Sequence, residues 1–266
     1  MSITSGQTCK ARQDIIDGIG KWRLWILIGW QEVRQRYRRS TLGPLWITLS
    51  TGITISAMGL IWGQLFGMNM AEYLPFITLG WLSWGFLSSV IVEGSNCFIS
   101  SQGFISQMRQ PLSMYAILPI WRSLIVLFHN IIVYLIVAVI YQVIPTTYTT
   151  LIFVTFPLVI LSLSWVPMLL GTLSARFRDI PVITQSVMTV AFFLTPVIWP
   201  TSRLGSFENF VYLNPLTSLI EMIRLPLLGQ MPSSTAWAIT VSITVLGWGV
   251  TYPFFAKTRV RIPYWL

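Results

Sequence analysis

The sequence predicts an all-α integral membrane protein with six transmembrane helices, and three observations predict it. The 266 residues are 54% hydrophobic and only 9% charged, with a mean hydropathy of +0.70, whereas soluble domains carry about 25% charged residues. Six apolar segments, 44–66, 73–98, 112–144, 150–174, 182–199 and 234–256, are each near or above the ~18–20 residues that cross ~30 Å of hydrocarbon as a helix. The basic residues are also one-sided. With residues 1–43 inside the cell, fourteen of the seventeen lie on the inner side, two (Arg203 and Arg224) lie outside, and Arg122 falls within a span. The positive-inside rule then places both termini in the cytoplasm.

The elements follow in order. Residues 11–30 are not a span. Ile15, Ile19, Trp22, Ile26 and Trp30 recur at helical spacing, with Asp14, Asp17, Lys21 and Gln31 elsewhere around the wheel. This predicts an amphipathic helix in the membrane interface; packing on protein would give the same pattern. The run Arg34, Arg36, Arg38, Arg39 follows, and Gly43-Pro44 opens span one. Between spans two and three, residues 100–111 place Phe104, Ile105 and Met108 where they can share one helical face, and Pro111 stops the winding. A short amphipathic helix on that side needs a membrane surface or a partner protein to cover it. ARFRDIP, 175–181, is a charged turn on the same side; both loops could equally be topology-setting alone. Residues 200–233 are apolar but broken by Pro200, Gly205, Pro215, Pro226, Gly229 and Pro232. The segments 207–213 and 216–228 are too short to cross, which suits two re-entrant half-helices before the last span. The whole chain, 1–266, reads as a single transmembrane domain, with no inverted repeat of the secondary-transporter kind.

Several functions are excluded. The net charge of +9 orients spans and meets anionic lipid rather than nucleic acid, because the basic clusters flank apolar segments. Cys9 and Cys97 imply no disulfide framework, and the polar first forty residues do not read as a cleavable signal peptide. His129 is the single histidine, HEXXH and CXXC are absent, and no metal site is expected. No GXXXXGK[ST] loop occurs, so the chain is not expected to hydrolyse nucleotide alone. The eight acids form no compact pair in sequence. The pattern fits a passage or a scaffold, not an enzyme.

Glu93, Arg122 and His129 are ionisable groups at membrane depth, which should face protein. Spans two and three run antiparallel, so Glu93 and Arg122 reach similar depth and can pair, either as a structural ion pair or as groups that meet substrate or move in gating.

RYRRSTLGPLW (36–46), EGSNCFISSQGFISQMRQP (93–111), ARFRDI (175–180) and LNPLTSLIEMIRLPLLGQ (213–230), in this order, resemble the membrane subunit of a type-2 ABC exporter. The nearest group is the permeases for O-antigen, capsular polysaccharide or teichoic acid. The resemblance implies a homodimer of six-helix subunits, each with a separate ABC ATPase that holds ATP and Mg; this chain itself holds no cofactor. It implies that Gly103–Gln110, centred on Phe104, Ile105 and Met108, couples to the ATPase, with Arg176, Arg178 and Asp179 as a second contact. It makes Pro215 to Gly229 an outer gate, with Glu221 and Arg224 facing the gate or the dimer axis. The implied cargo is a long glycan on undecaprenyl diphosphate, whose anionic head Arg34, Arg36, Arg38 and Arg39 would meet at the inner leaflet; topology alone would also explain those arginines. Permeases for drugs or lipids, a glycan transferase and a passive scaffold are the competing readings.

Overall fold

The computed structural model describes residues 5–36, 43, 45–201 and 211–266. Arg38, Arg39, Pro44, Arg203 and most of the first expected half-helix lie outside the described residues, as does the side chain of Arg36. All regular structure among the described residues is helical: α1 (Ser5–Gly20), α2 (Trp22–Arg36), α3 (Leu45–Phe66), α4 (Met70–Ser95), α5 (Cys97–Ser100), α6 (Gln102–Gln107), α7 (Leu112–Ile140), α8 (Ile152–Arg176), α9 (Ile180–Leu194), α10 (Pro215–Leu227), α11 (Ser234–Thr258) and α12 (Ile262–Trp265).

Five helical stretches, Leu45–Phe66, Met70–Ser95, Leu112–Ile140, Thr147–Arg176 and Ser234–Trp265, are long and apolar enough to cross a membrane. The protein is therefore an all-helical, multi-pass membrane protein. The fifth expected span, 182–199, differs. Its helix, α9, has 15 residues, about 23 Å. Pro196 explains the early stop: it lacks a donor N–H and pushes Thr195 out of the helical region, to φ −102°, ψ 136°. The chain then turns inward, with Val197 and Ile198 buried.

α4 is the central helix. It is buried over 56% of its most apolar stretch, against 17% for α3, so α3 lies at the periphery. The core around α4 contains Tyr73, Ile77, Leu87 and Val90 of that helix, with Val159, Leu163, Ile220 and Met222. Backbones meet closely where glycine permits it. A Cβ on Gly94 would sit 2.8 Å from Cγ of Pro167, so α4 and α8 are in backbone contact there. A second core joins Cys97, Phe98, Met114, Tyr115, Phe255 and Ile262 at one end of the bundle. That end carries Lys10, Lys21, Arg109, Arg176, Arg178 and Arg259 and is called the basic end below.

The N-terminal segment is two helices rather than the single helix 11–30. Gly18 and Gly20 weaken the helix before the break at Lys21. α1 crosses the basic end, where the Asp14 carboxylate accepts from the backbone N–H of Ser113 at 3.0 Å and of Leu112 at 3.4 Å. Asp14 thereby caps the start of α7 from outside that helix. Arg259 Nη1 donates to the same carboxylate at 3.3 Å. α2 runs beside α7. Its contacts advance along that helix, from Ile26, whose carbonyl accepts from Trp121 Nε1 at 3.2 Å, to Trp30, Val33 and Arg34 beside His129. Trp22 and Trp30 remain 52% and 47% exposed.

Candidate functional site

Two stripes at helical spacing face each other across a groove between α4 and α9. Trp81, Trp84, Ser88, Ser89 and Glu93 follow the i, i+3, i+7, i+8, i+12 course on α4, and Gln185, Thr189, Phe192 and Phe193 answer from α9. The groove has a volume of about 550 Å³. From Trp81 to Glu93 it runs about 18 Å along the helix axis, with Glu93 toward the basic end. Phe192 anchors its far half, edge-on to Trp81 at 5.8 Å and tilted on Trp84 at 5.5 Å. Phe193 remains 70% exposed, so this chain alone does not close the groove.

The groove ends on an ion network. Arg122 Nε donates to Glu93 Oε2 at 3.0 Å, and Arg122 Nη1 donates to Glu32 Oε2 on α2. The structure thus brings Glu93 and Arg122 together, as their depths predicted, and adds Glu32 of α2. His129 does not join them. Its Nδ1 lies 2.8 Å from the carbonyl of Ile125 one turn back, and its ring faces Trp30, Val33 and Arg34.

At the basic end the three expected coupling residues separate. Phe104 and Met108 stay 49% and 41% exposed, while Ile105 packs inward on the second core. The cause is the brevity of α6: Met108 is already extended, at φ −124°, ψ 126°, so the three cannot share one helical face. Ile105 and Met108 line a cleft of about 1470 Å³ whose other walls include Gln13 and Asp17 of α1, Lys21 at the break after it, and Arg259. Arg176 and Arg178 hold the C-terminal residues. Arg176 stacks over Phe177 and Trp265, at 5.4 and 5.6 Å, and Arg178 Nη2 donates to the carbonyl of Leu266 at 3.0 Å. Asp179 is exposed at the start of α9 and makes no side-chain cap.

Pro215 sits at the first turn of α10, where Asn214 caps the helix by accepting from Leu216 N–H at 3.0 Å. Glu221 and Arg224 do not face an opening. Both are buried, at 4% and 3% exposure. Glu221 accepts from Tyr212 at 3.0 Å and from Ser233 at 3.3 Å. Arg224 lies 4.0 Å over the Phe76 ring and donates to the carbonyl of Pro196 at 2.8 Å. Burial of a charge requires such partners, and here they come from the residue after α9 (Pro196), the turn before α10 (Tyr212), the cap of α11 (Ser233) and α4 (Phe76). The pair therefore ties α10 to the interior of its own chain, contrary to the expected orientation.

The sequence pattern of the ABC-2 type transporter family matches residues 23–228, most of the chain and all of the groove and the ion network. The chain belongs to the ABC-2 type transporter family. It is also 25% identical, over 200 residues, to the O-antigen export system permease protein RfbA of Myxococcus xanthus, covering 71% of this chain and 74% of that protein.

As an ABC-2 type permease the chain is a transport component, and the family implies a partner ATPase subunit. Sequence reasoning missed Glu32 and the groove. Glu32 is the single acid between Asp17 and Glu72, just ahead of the arginine run, and that was the available signal. The groove was written as two stripes of aromatic and polar residues at three- and four-residue spacing, visible once α4 and α9 are known to be neighbours.

Proposed function

We propose that this chain is the permease subunit of an ATP-driven exporter that moves a polysaccharide linked to undecaprenyl diphosphate, O-antigen-like, across the bacterial inner membrane. The observation that carries the reading is the α4–α9 groove. A glycan presents apolar sugar faces and a dense set of hydroxyls. Indole and phenyl rings suit the faces, while Ser88, Ser89, Gln185 and Thr189 can exchange hydrogen bonds with the hydroxyls. Such a path binds weakly at each point and lets the chain slide. A purely apolar drug or lipid would gain nothing from the polar stripe. The similarity to an O-antigen export permease supports the same cargo class.

The active unit is a homodimer, in which a second copy covers the open side marked by Phe193. Each subunit crosses six times, with α9 and the residues after it as the fifth crossing, both termini cytoplasmic, and α10 as the second of two re-entrant helices. The basic end then faces the ATPase. Phe104 and Met108 are the uncovered apolar residues that dock it, Ile105 seats α6 on the permease, and Arg176 and Arg178 set the C-terminal segment beside the same surface. The run Arg34, Arg36, Arg38 and Arg39 holds the diphosphate head in this reading, since arginine forks suit phosphate oxygens.

Deleting the chain in its own host tests this. Lipid-linked glycan should accumulate on the cytoplasmic face, accessible to a glycosidase only in everted vesicles. Re-expression should restore export, and W84A/F192A should restore it poorly although it inserts normally. Unchanged surface glycan in the deletion strain would overturn the reading.

A further inference from the structure

Beneath the N-terminal helices lies a second cavity, of about 420 Å³, separate from the groove. Ile15 and Ile19 of α1 and Trp25 of α2 form its roof, and α7, α8 and Trp248 of α11 form its walls. On α7 its lining extends from Ser113 to Leu124, about 16 Å along the axis. That is about half of the ~30 Å hydrocarbon core, the depth of one leaflet. Its lining is overwhelmingly apolar, too poor in polar partners to hold ordered water. It opens sideways: Ile19 is 57% and Leu161 50% exposed.

Two further observations say what fills it. The first is how charge is sorted around α1. Asp14 and Asp17 line the cleft on the opposite side of that helix. Arg12, exposed, shares the face of Ile15 and Ile19 at i, i+3, i+7, so the charge on the cavity side is positive. The second is Trp25 itself. Its Nε1–H is shielded from solvent and has no hydrogen-bond partner among the described residues. A buried donor of this kind lacks an acceptor that a ligand would bring.

We propose that this cavity binds a glycerophospholipid with an anionic headgroup, one acyl chain lying between α7 and α8, an ester carbonyl accepting from Trp25 and the phosphate held by Arg12. The occupant is a bilayer lipid rather than the polyprenyl tail of a cargo lipid, because an acyl ester brings the acceptor that the Trp25 donor lacks and a hydrocarbon polyprenyl chain brings none. The site stands apart from the export path and does not depend on which cargo the permease carries.

The test uses the full-length protein in nanodiscs, with phosphatidylglycerol or phosphatidylcholine bearing the same mid-chain diazirine. After photolysis, adducts are mapped by peptide mass spectrometry. Phosphatidylglycerol should label the α7 stretch 116–124 and the α8 stretch 157–161 preferentially. R12Q should lower that labelling about fivefold, from about 1 kcal/mol for one basic residue. I117W, which fills the cavity, should abolish it. W25F, which keeps the ring but loses the donor, should lower it about fivefold. Equal labelling by phosphatidylcholine would overturn the anionic headgroup. Adducts spread evenly over all lipid-facing helices would overturn the site. Displacement by equimolar undecaprenyl diphosphate would reassign it to the cargo tail and overturn the proposal. Unchanged surface glycan in the deletion strain, which would overturn the export reading, would leave this result untouched, and the reverse also holds.

Discussion

Arg122 serves two carboxylates from two different helices, and that makes its energetics unusual and measurable. Its side chain is 16% exposed, against 26% for Glu93 and 37% for Glu32. At 3.0 Å to Glu93, the attraction is about 5 kcal/mol at an effective dielectric constant of ~20; desolvation of the arginine offsets much of it. Removing one acid leaves Arg122 with the other. E93Q and E32Q should therefore each cost only about 1 kcal/mol, with E32Q the milder because its carboxylate is already half in solvent. E32Q/E93Q strands the arginine in a low-dielectric site, which costs on the order of 3–5 kcal/mol. Adding R122M removes the stranded charge, so the triple variant should recover most of that loss. The assay is thermal unfolding of the detergent-solubilised protein, followed by size-exclusion chromatography. For a chain of this size each kcal/mol moves the midpoint by roughly 2–4 °C. The single variants should shift by a few degrees and the double by considerably more than their sum. A double variant that equals the sum of the singles within about 0.5 kcal/mol would refute the shared arginine. A triple variant as unstable as the double would refute the stranded charge.

Gly94→Ala should lower the unfolding midpoint by the equivalent of about 1–3 kcal/mol, because the new methyl meets the rigid Pro167 ring at 2.8 Å and its Cα at 3.2 Å; an unchanged midpoint would contradict that contact. Cys9 is exposed and Cys97 is 1% exposed, so a maleimide should label the native protein at Cys9 alone and reach Cys97 only after unfolding; equal labelling rates would be inconsistent with the second core. Arg224→Lys keeps the charge but loses the planar group that covers Phe76. It should destabilise by about 1–2 kcal/mol and slow export in the complemented deletion strain, whereas export at the normal rate would reduce Arg224 to a purely structural residue.

How much of this was legible in the sequence depends on the range of the interaction. The apolar spans were readable because length and hydropathy are properties of a single segment. The stop of α9 was missed although Thr195-Pro196 is local, since the apolar run continues through Val197 and Ile198 and hides the break. Glu93 with Arg122 was readable because both depths count from the same short loop. Glu32 was not, since its depth depends on α2 running alongside α7, and that comes from Gly29 admitting the Trp121 ring rather than from any periodicity in α2. The burial of Glu221 and Arg224 was likewise hidden. Their partners, Tyr212, Ser233, Pro196 and Phe76, come from four different stretches, and proline-broken apolar sequence suits a buried plug as well as an open mouth.

The two N-terminal helices place the cleft at the basic end and the aromatic groove in one mechanical unit. Asp14 of α1 holds the start of α7 and is itself held by Arg259 of the last helical segment. Glu32 of α2 reaches the same α7 at Arg122, which in turn fixes Glu93 on the groove wall. Between these two attachments lies the break at Lys21, whose Nζ donates to Gln110 in the loop that carries Phe104 and Met108. A displacement of that loop thus acts on α1 and α2 at their joint, between two charged attachments to one transmembrane helix. Charge-assisted contacts are short and directional, so they do not stretch to absorb a shift as an apolar interface can by sliding. In the proposed exporter, a push by the ATPase on Phe104 and Met108 therefore has a short route to Glu93. The route ends where the glycan path begins, and Arg122, bound on both sides, is the one group that α2 and the groove wall must both move.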